Sequence, residues 1–171
     1  MVDFNLFDWN AIFSTVSSCS SMTRCQLRPL SAEIIEKSVS KYSGGQLQYI
    51  GDSANGCDFL DAAGIRYEFK SKKELFQKKS FFSKEIILKN YFGVQTSSII
   101  QTFDYMILMD TTQNSAGIVS YQNSVKCARI NNSSITTRIP LADIKYLTKS
   151  ITLTKKPNFE NILNDFIAQA I

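Results

Sequence analysis

Histidine is missing from the chain altogether, in 171 residues. That excludes the Ser-His and Cys-His nucleophile pairs, the histidine-metal nucleases and the H-E-x-x-H hydrolases. Any chemistry must run on carboxylates, lysines, hydroxyls and a metal ion. Cysteine is sparse, and Cys19, Cys25, Cys57 and Cys127 are scattered without a C-x-x-C pair, which argues against structural zinc. No apolar run approaches the length of a membrane span, and the opening MVDFNLFDWN is too acidic and too mixed for a signal peptide. The expectation is a cytoplasmic protein without disulfides. Repeats, low-complexity tails and linkers are also lacking. With 44% hydrophobic and 12% aromatic residues, the chain has the material for one buried core and no room for a second domain.

What is present is a concentrated charge pattern. The net charge of +4 is modest. From Arg66 to Lys89, however, eight basic residues (Arg66, Lys70, Lys72, Lys73, Lys78, Lys79, Lys84, Lys89) face three acidic ones (Glu68, Glu74, Glu85), so the rest of the chain is slightly acidic. A basic patch of this kind suits a phosphate backbone, although a solvated face is the commoner meaning of a charge run. Here it begins inside the most informative stretch of the sequence, GCDFLDAAGIRYEFKSKK.

In that stretch Ile65, Tyr67 and Phe69 alternate with Arg66, Glu68 and Lys70, the pattern of a strand with one apolar and one polar face. Cys57 to Asp61 reads as a shorter strand before it, and Ala62-Ala63-Gly64, with Gly64 free to take positive φ, as the hairpin connection. In that register Asp58 faces Glu68. Two opposed carboxylates repel unless a positive charge lies between them, and oxygen ligands on a compact scaffold suit Mg²⁺, which takes one or two protein carboxylates plus phosphate oxygens. Lys70, on the same face as Glu68, is placed to hold or help deprotonate a water and to offset charge on a phosphate. The bland alternative is a solvated hairpin face.

At these residues the chain resembles the PD-(D/E)xK nucleases, and within them the PvuII-like type II restriction endonucleases. Gly56, Asp58, Asp61, Ala63, Gly64, Tyr67, Glu68, Lys70 and Ser71 match that group's hairpin in order and without a gap, over about 16 of the 171 residues. Two departures stand out. Cys57 occupies the place of the nominal proline, and the histidines that follow the E-x-K strand in that group have no counterpart near Ser83, Lys84 and Glu85. The resemblance implies a single α/β (α+β) domain with a central mixed sheet of about five strands flanked by helices. It also implies Mg²⁺-dependent, sequence-specific cutting of both strands of duplex DNA, leaving 5′-phosphate and 3′-hydroxyl ends, and a cognate DNA methyltransferase as functional partner. The site it implies has Asp58, Glu68 and Lys70 as catalytic residues, with Asp58, Glu68 and the backbone carbonyl of Phe69 on the metal. Cutting a palindrome with one site per chain calls for a two-fold homodimer. Lys72, Lys73, Lys78, Lys79 and Lys84 are the candidate phosphate contacts; Ser83 and Asn90 are the candidates for base contact. The rival readings are a junction-resolving nuclease with the same corner, a catalytically silent DNA-binding module, and a fortuitous hairpin.

The remaining elements follow from periodicity. Residues 3 to 16 are predicted as a helix capped by Asp3, with Phe4, Phe7, Trp9, Ile12, Phe13 and Val16 packing on the core or on a second copy. Ser17 to Thr23 reads as a loop, and Ser31 to Tyr42 as a helix closed by Gly44-Gly45. Gln46 to Ile50 is a predicted strand, and Asp52 in the turn after it is an alternative first carboxylate or simply a turn residue. Glu74 to Phe82 and Glu85 to Phe92 read as irregular or short helical segments, and Tyr105 to Met109 as a buried strand. Ala116 to Tyr121 and Val125 to Ile130 read as strands, and Asn131 to Ser134 as a polar loop whose asparagines suit adenine. Leu141 to Lys149 is predicted as a short helix and the stretch from Asn158 as a final amphipathic one. This divides the chain into a helical, dimerising part (about 1–45), a catalytic core (about 46–110) and a recognition part with the C-terminal helix (about 111–171).

Overall fold

A computed structural model describes residues 2–19, 28–51, 57–72, 85–90, 94–95, 98–99, 102–111, 113–125, 129–131, 134–154, 164 and 168. Its centre is a six-stranded mixed sheet, one strand more than expected. In sheet order the strands are β1 (Gln48–Tyr49), β2 (Phe59–Leu60), β3 (Arg66–Lys72), β7 (Tyr105–Asp110), β8 (Ser115–Ser120) and β11 (Lys145–Thr148). Only the β3/β7 pair is parallel. A three-stranded sheet joins β4 (Glu85–Asn90), β10 (Ser134–Pro140) and β9 (Arg129–Asn131), and β5 (Val94–Gln95) pairs with β6 (Ser98–Ile99). The helices are α1 (Trp9–Cys19), α2 (Arg28–Lys41) and the short α3 (Tyr121–Val125). The molecule is thus mixed α and β.

The run YMILMD explains why β7 is central. Met106, Ile107, Leu108 and Met109 have no exposed surface, as a strand covered on both faces requires. Its two faces feed two cores. Ile107 and Met109 join Phe59, Tyr67 and Phe69 against Phe7, Trp9, Ile12, Phe13 and Val16, with Val39 from α2. Met106 and Leu108 pack on the other side with Cys57, Phe103, Val119, Ile139 and Ile144. The N-terminal aromatics therefore bury themselves in their own chain, leaving Leu6 as the one large apolar side chain exposed among the described residues.

Several expected elements are corrected. The first helix is two pieces: Asp3 caps a 3₁₀ turn at Phe4–Leu6, and Asp8, accepting the Ala11 N–H at 3.0 Å, starts α1. α1 then runs through Ser17 and Ser18 to Cys19, because Thr15 and Ser18 donate their hydroxyls to the carbonyls of Ala11 and Ser14 (3.0 and 3.1 Å) instead of competing for another fold. α2 begins at Arg28, ahead of Ser31, and ends at Lys41. Gly44 follows at φ +64, where a Cβ would meet the Leu6 carbonyl oxygen at 3.0 Å. Glu85–Asn90 is a strand, not an irregular or helical segment, held along its length by β10. Tyr121–Val125 is a helix between the two strands expected there. After Pro140 the chain makes only a 3₁₀ turn, Leu141–Asp143, before β11 forms where a helix was expected. Asp52, Asn132, Ser133, the segment 74–82, residues 20–23 and most of the stretch predicted as a C-terminal helix lie outside the described residues.

Candidate metal and phosphodiester site

The hairpin that carries the motif is built by Asp61. Its Oδ1 accepts the N–H groups of Ala63 and Ile65, both at 2.9 Å, and the Gly64 N–H donates to its carbonyl at 2.9 Å. Gly64 sits at φ +77, the left-handed conformation expected of it. Asp61 Oδ2 also accepts the Tyr67 hydroxyl at 3.2 Å, which burial pushes away from ionisation, with the Asp61 charge adding to the effect. Asp61 is thus spent on structure, which explains a second aspartate in the motif without giving it chemistry.

β2 and β3 pair at Phe59↔Tyr67 and Leu60↔Arg66. One residue further the ladder steps, because the Asp58 N–H also addresses the Tyr67 carbonyl, at 2.9 Å. Two successive residues set against one is the pattern of a β-bulge, which re-aims a side chain. The Asp58 carboxylate reaches past Glu68 and accepts the Phe69 N–H at 2.7 Å. That bond takes one of about four lone-pair directions of a carboxylate. In an extended strand the N–H and C=O of one residue turn to the same edge, so the Phe69 carbonyl is on the β2 edge of β3.

Glu68 and Lys70 are fixed from the other side. β3 is in register with β7 from Tyr67↔Tyr105 to Lys72↔Asp110, placing Glu68 beside Met106 and Lys70 beside Leu108. Their side chains are only 17% and 28% exposed and form an ion pair, Lys70 Nζ to Glu68 Oε1. Asp58, Glu68 and Lys70, with the Phe69 backbone, therefore occupy one corner at the end of the hairpin.

One more carboxyl, which the sequence reading did not single out, feels the charge of these residues. Glu36, on α2, is partly buried and lies in the field of Asp58, Lys70 and Glu68. Burial first, then the Asp58 charge, pushes its carboxyl from 4.5 up to about 7; Lys70 and a hydrogen bond with the Tyr49 hydroxyl oppose the shift, and Glu68 adds to it. Glu36 sits amid EIIEK, where it looks like any solvated helix position, and its only sequence signal is that it is one helical turn ahead of Ser40. The Ser40 hydroxyl donates to the Leu47 carbonyl at 2.8 Å and accepts the Tyr49 N–H at 3.2 Å, stitching that face of α2 to β1.

The donor set is all oxygen and fits a hard divalent cation held by few protein ligands. Among the described residues no three acidic, cysteine or histidine side chains close into a metal cage, and the corner supplies pairs of carboxylates rather than a full shell. The Lys70 ammonium already supplies positive charge to Glu68.

The candidate DNA contacts fare differently. Lys72 ends β3 opposite Asp110, and Asn90 ends β4 opposite Ile135. Lys73, Lys78, Lys79, Ser83 and Lys84 lie outside the described residues. None of the described helices is long and apolar enough to cross a membrane. No protein-family model matches the chain, and no curated protein matches it.

Proposed function

We propose that the chain is a Mg²⁺-dependent endonuclease of the restriction type, acting on duplex DNA at a specific sequence. The observation that carries the reading is the bulged Asp58 set against the E-x-K face of β3, where the ammonium of Lys70 lies on Glu68. Asp58 and Glu68 would hold the cation, with the Phe69 carbonyl as a further ligand. Bound there, Mg²⁺ would supply charge to the scissile phosphate and acidify a water.

The chain's own groups do the rest. An ammonium held by a carboxylate offers hydrogen bonds rather than a lone pair, so Lys70 orients the attacking water and stabilises charge growing on the phosphate oxygens. In the reaction the water oxygen bonds to phosphorus as the bond from phosphorus to the 3′ oxygen breaks. The water gives up a proton, the 3′ oxygen takes one, and the products are a 3′-hydroxyl and a 5′-phosphate. Lys72, Lys73, Lys78, Lys79 and Lys84 are proposed to contact phosphates, Ser83 and Asn90 bases, and a two-fold homodimer to cut both strands of a palindrome, with a cognate methyltransferase protecting the site.

The test is digestion of linear, unmethylated DNA of phage length in Mg²⁺, wild type beside Lys70→Ala, with Ca²⁺ as a control expected to support binding without turnover. Discrete fragments from wild type, with at least about 100-fold less product from the variant, are expected. Undamaged linear DNA with cleavage of four-way junctions would replace restriction by junction resolution; no cleavage of either would remove the nuclease reading.

A further inference from the structure

We infer that Arg66 binds a backbone phosphate beside the scissile one, with Asp104 as the positioning residue that holds its guanidinium in place. The inference rests on the proposed action on duplex DNA and adds to it a contact outside the E-x-K motif.

Arg66 opens β3. Along that strand Tyr67 and Phe69 are buried in the core shared with α1, while Arg66, Glu68 and Lys70 share the other face. With a rise of about 3.3 Å per residue, Arg66 stands about 7 Å from Glu68 and about 13 Å from Lys70 along the strand. A phosphate seated between Glu68 and Lys70 therefore leaves Arg66 level with a neighbouring phosphate of the same DNA strand.

Asp104 is a firm mount for the guanidinium. Its N–H donates to the Arg66 carbonyl at 2.9 Å, its own carbonyl accepts the Tyr121 N–H at 2.8 Å, and Phe103 just before it is buried. The Asp104 carboxylate accepts the Arg66 backbone N–H at 2.9 Å and takes one edge of the guanidinium, Nε at 3.2 Å and Nη2 at 3.0 Å. Two bonds on one edge fix the plane of the fork. They use two of its five N–H donors, and among the described residues no other acceptor bonds this side chain. The remaining donors lie on Nη1 and Nη2, and the side chain is 37% exposed, so they are open to a ligand. An exposed ion pair contributes little to stability by itself. What it supplies here is orientation, since a guanidinium already immobilised loses less freedom when it takes a phosphate.

The experiment measures binding of the full chain to cleavable linear duplex in Ca²⁺ over a series of salt concentrations. Wild type is compared with Arg66→Gln/Asp104→Asn, which keeps the net charge and leaves an acceptor for the backbone N–H at position 66. A solvated ion pair predicts no change. A phosphate contact predicts binding about 10-fold weaker at fixed salt, on cognate and unrelated duplex alike, and a slope of log affinity against log salt shallower by about 0.9. If the double variant does not fold, Arg66→Lys carries the test: lysine keeps the charge and loses the fork, and binding at least about 3-fold weaker is expected. A wild-type slope in the folded double variant, a loss confined to the cognate sequence, or, where the double variant does not fold, wild-type affinity in Arg66→Lys overturns the inference while leaving the nuclease intact. Wild type that neither binds nor cleaves DNA overturns the function on which it rests.

Discussion

Glu36→Gln should make the metal-free protein more stable at alkaline pH and no more stable in acid. In the folded chain the Glu36 carboxyl is pushed up to about 7 from an ordinary 4.5, by burial first and the Asp58 charge second. A raised carboxyl means that the folded state keeps a proton the unfolded chain releases. Below about pH 4.5 both states are protonated and the group has no effect relative to glutamine. As pH rises through about 7 the folded state must ionise a partly buried carboxylate beside Asp58 and Glu68, and stability falls. The full span corresponds to about 3 kcal/mol at about 1.36 kcal/mol per pKa unit. Partial exposure of Glu36 reduces this to about 1–2 kcal/mol. For a chain of this length that is about 2–8 °C in Tm. Calorimetric melts of both proteins in chelator at pH 4.5 and pH 8 measure it, and comparison at equal pH cancels every other carboxylate. Saturating Mg²⁺ at pH 8 should narrow the gap, since a bound cation offsets the charge. A Tm difference that is the same at both pH values, or a variant less stable at pH 8, would refute the placement of this carboxylate.

Two further outcomes concern the frame. Asp104 accepts the Arg66 backbone N–H at 2.9 Å and its side-chain Nε and Nη2 at 3.2 and 3.0 Å, so Asp104→Ala should cost about 2 kcal/mol in urea unfolding, chiefly through the orphaned backbone donor. A loss under about 0.5 kcal/mol would show that solvent replaces it. Gly117→Ala puts a methyl 2.5 Å from Ile144 Cγ2, on a β-branched side chain with little freedom to retreat, and should cost about 1–3 kcal/mol. An unchanged urea midpoint would mean that β11 shifts at no cost.

The local structure of the candidate corner was largely legible because its signals are local. Alternation along Arg66–Lys70 gives the face of β3, and Asp61 and Gly64 give the turn. The uninterrupted apolar run at Tyr105–Asp110 likewise announces a strand covered on both sides. Glu36 was not legible, since its place depends on how α2 crosses β1, which no periodicity encodes. Serine-rich composition misled at Ser17 and Ser18, which continue the helix, with the Ser18 hydroxyl bonding back to the Ser14 carbonyl. Lys145–Thr148 misled because the space that lets Ile144 and β11 approach β8 is the missing side chain of Gly117. The bulge at Asp58 was invisible for a similar reason: it depends on one extra N–H reaching Tyr67.

The parallel register of β3 on β7 divides the corner into two halves of unequal durability. Glu68 and Lys70 ride on a strand laced for six residue pairs to the most deeply covered segment of the chain, so their backbone amides can exchange with solvent only when the whole domain opens. Asp58 stands beside a two-residue strand, with one backbone bond to Tyr67, one from Ile50 and its side-chain bond to Phe69, a shorter lacing than that of β3 on β7. Such a corner is laced unevenly: the Glu68 and Lys70 side shares the fate of the whole sheet, and the aspartate side is the one that a local opening reaches first.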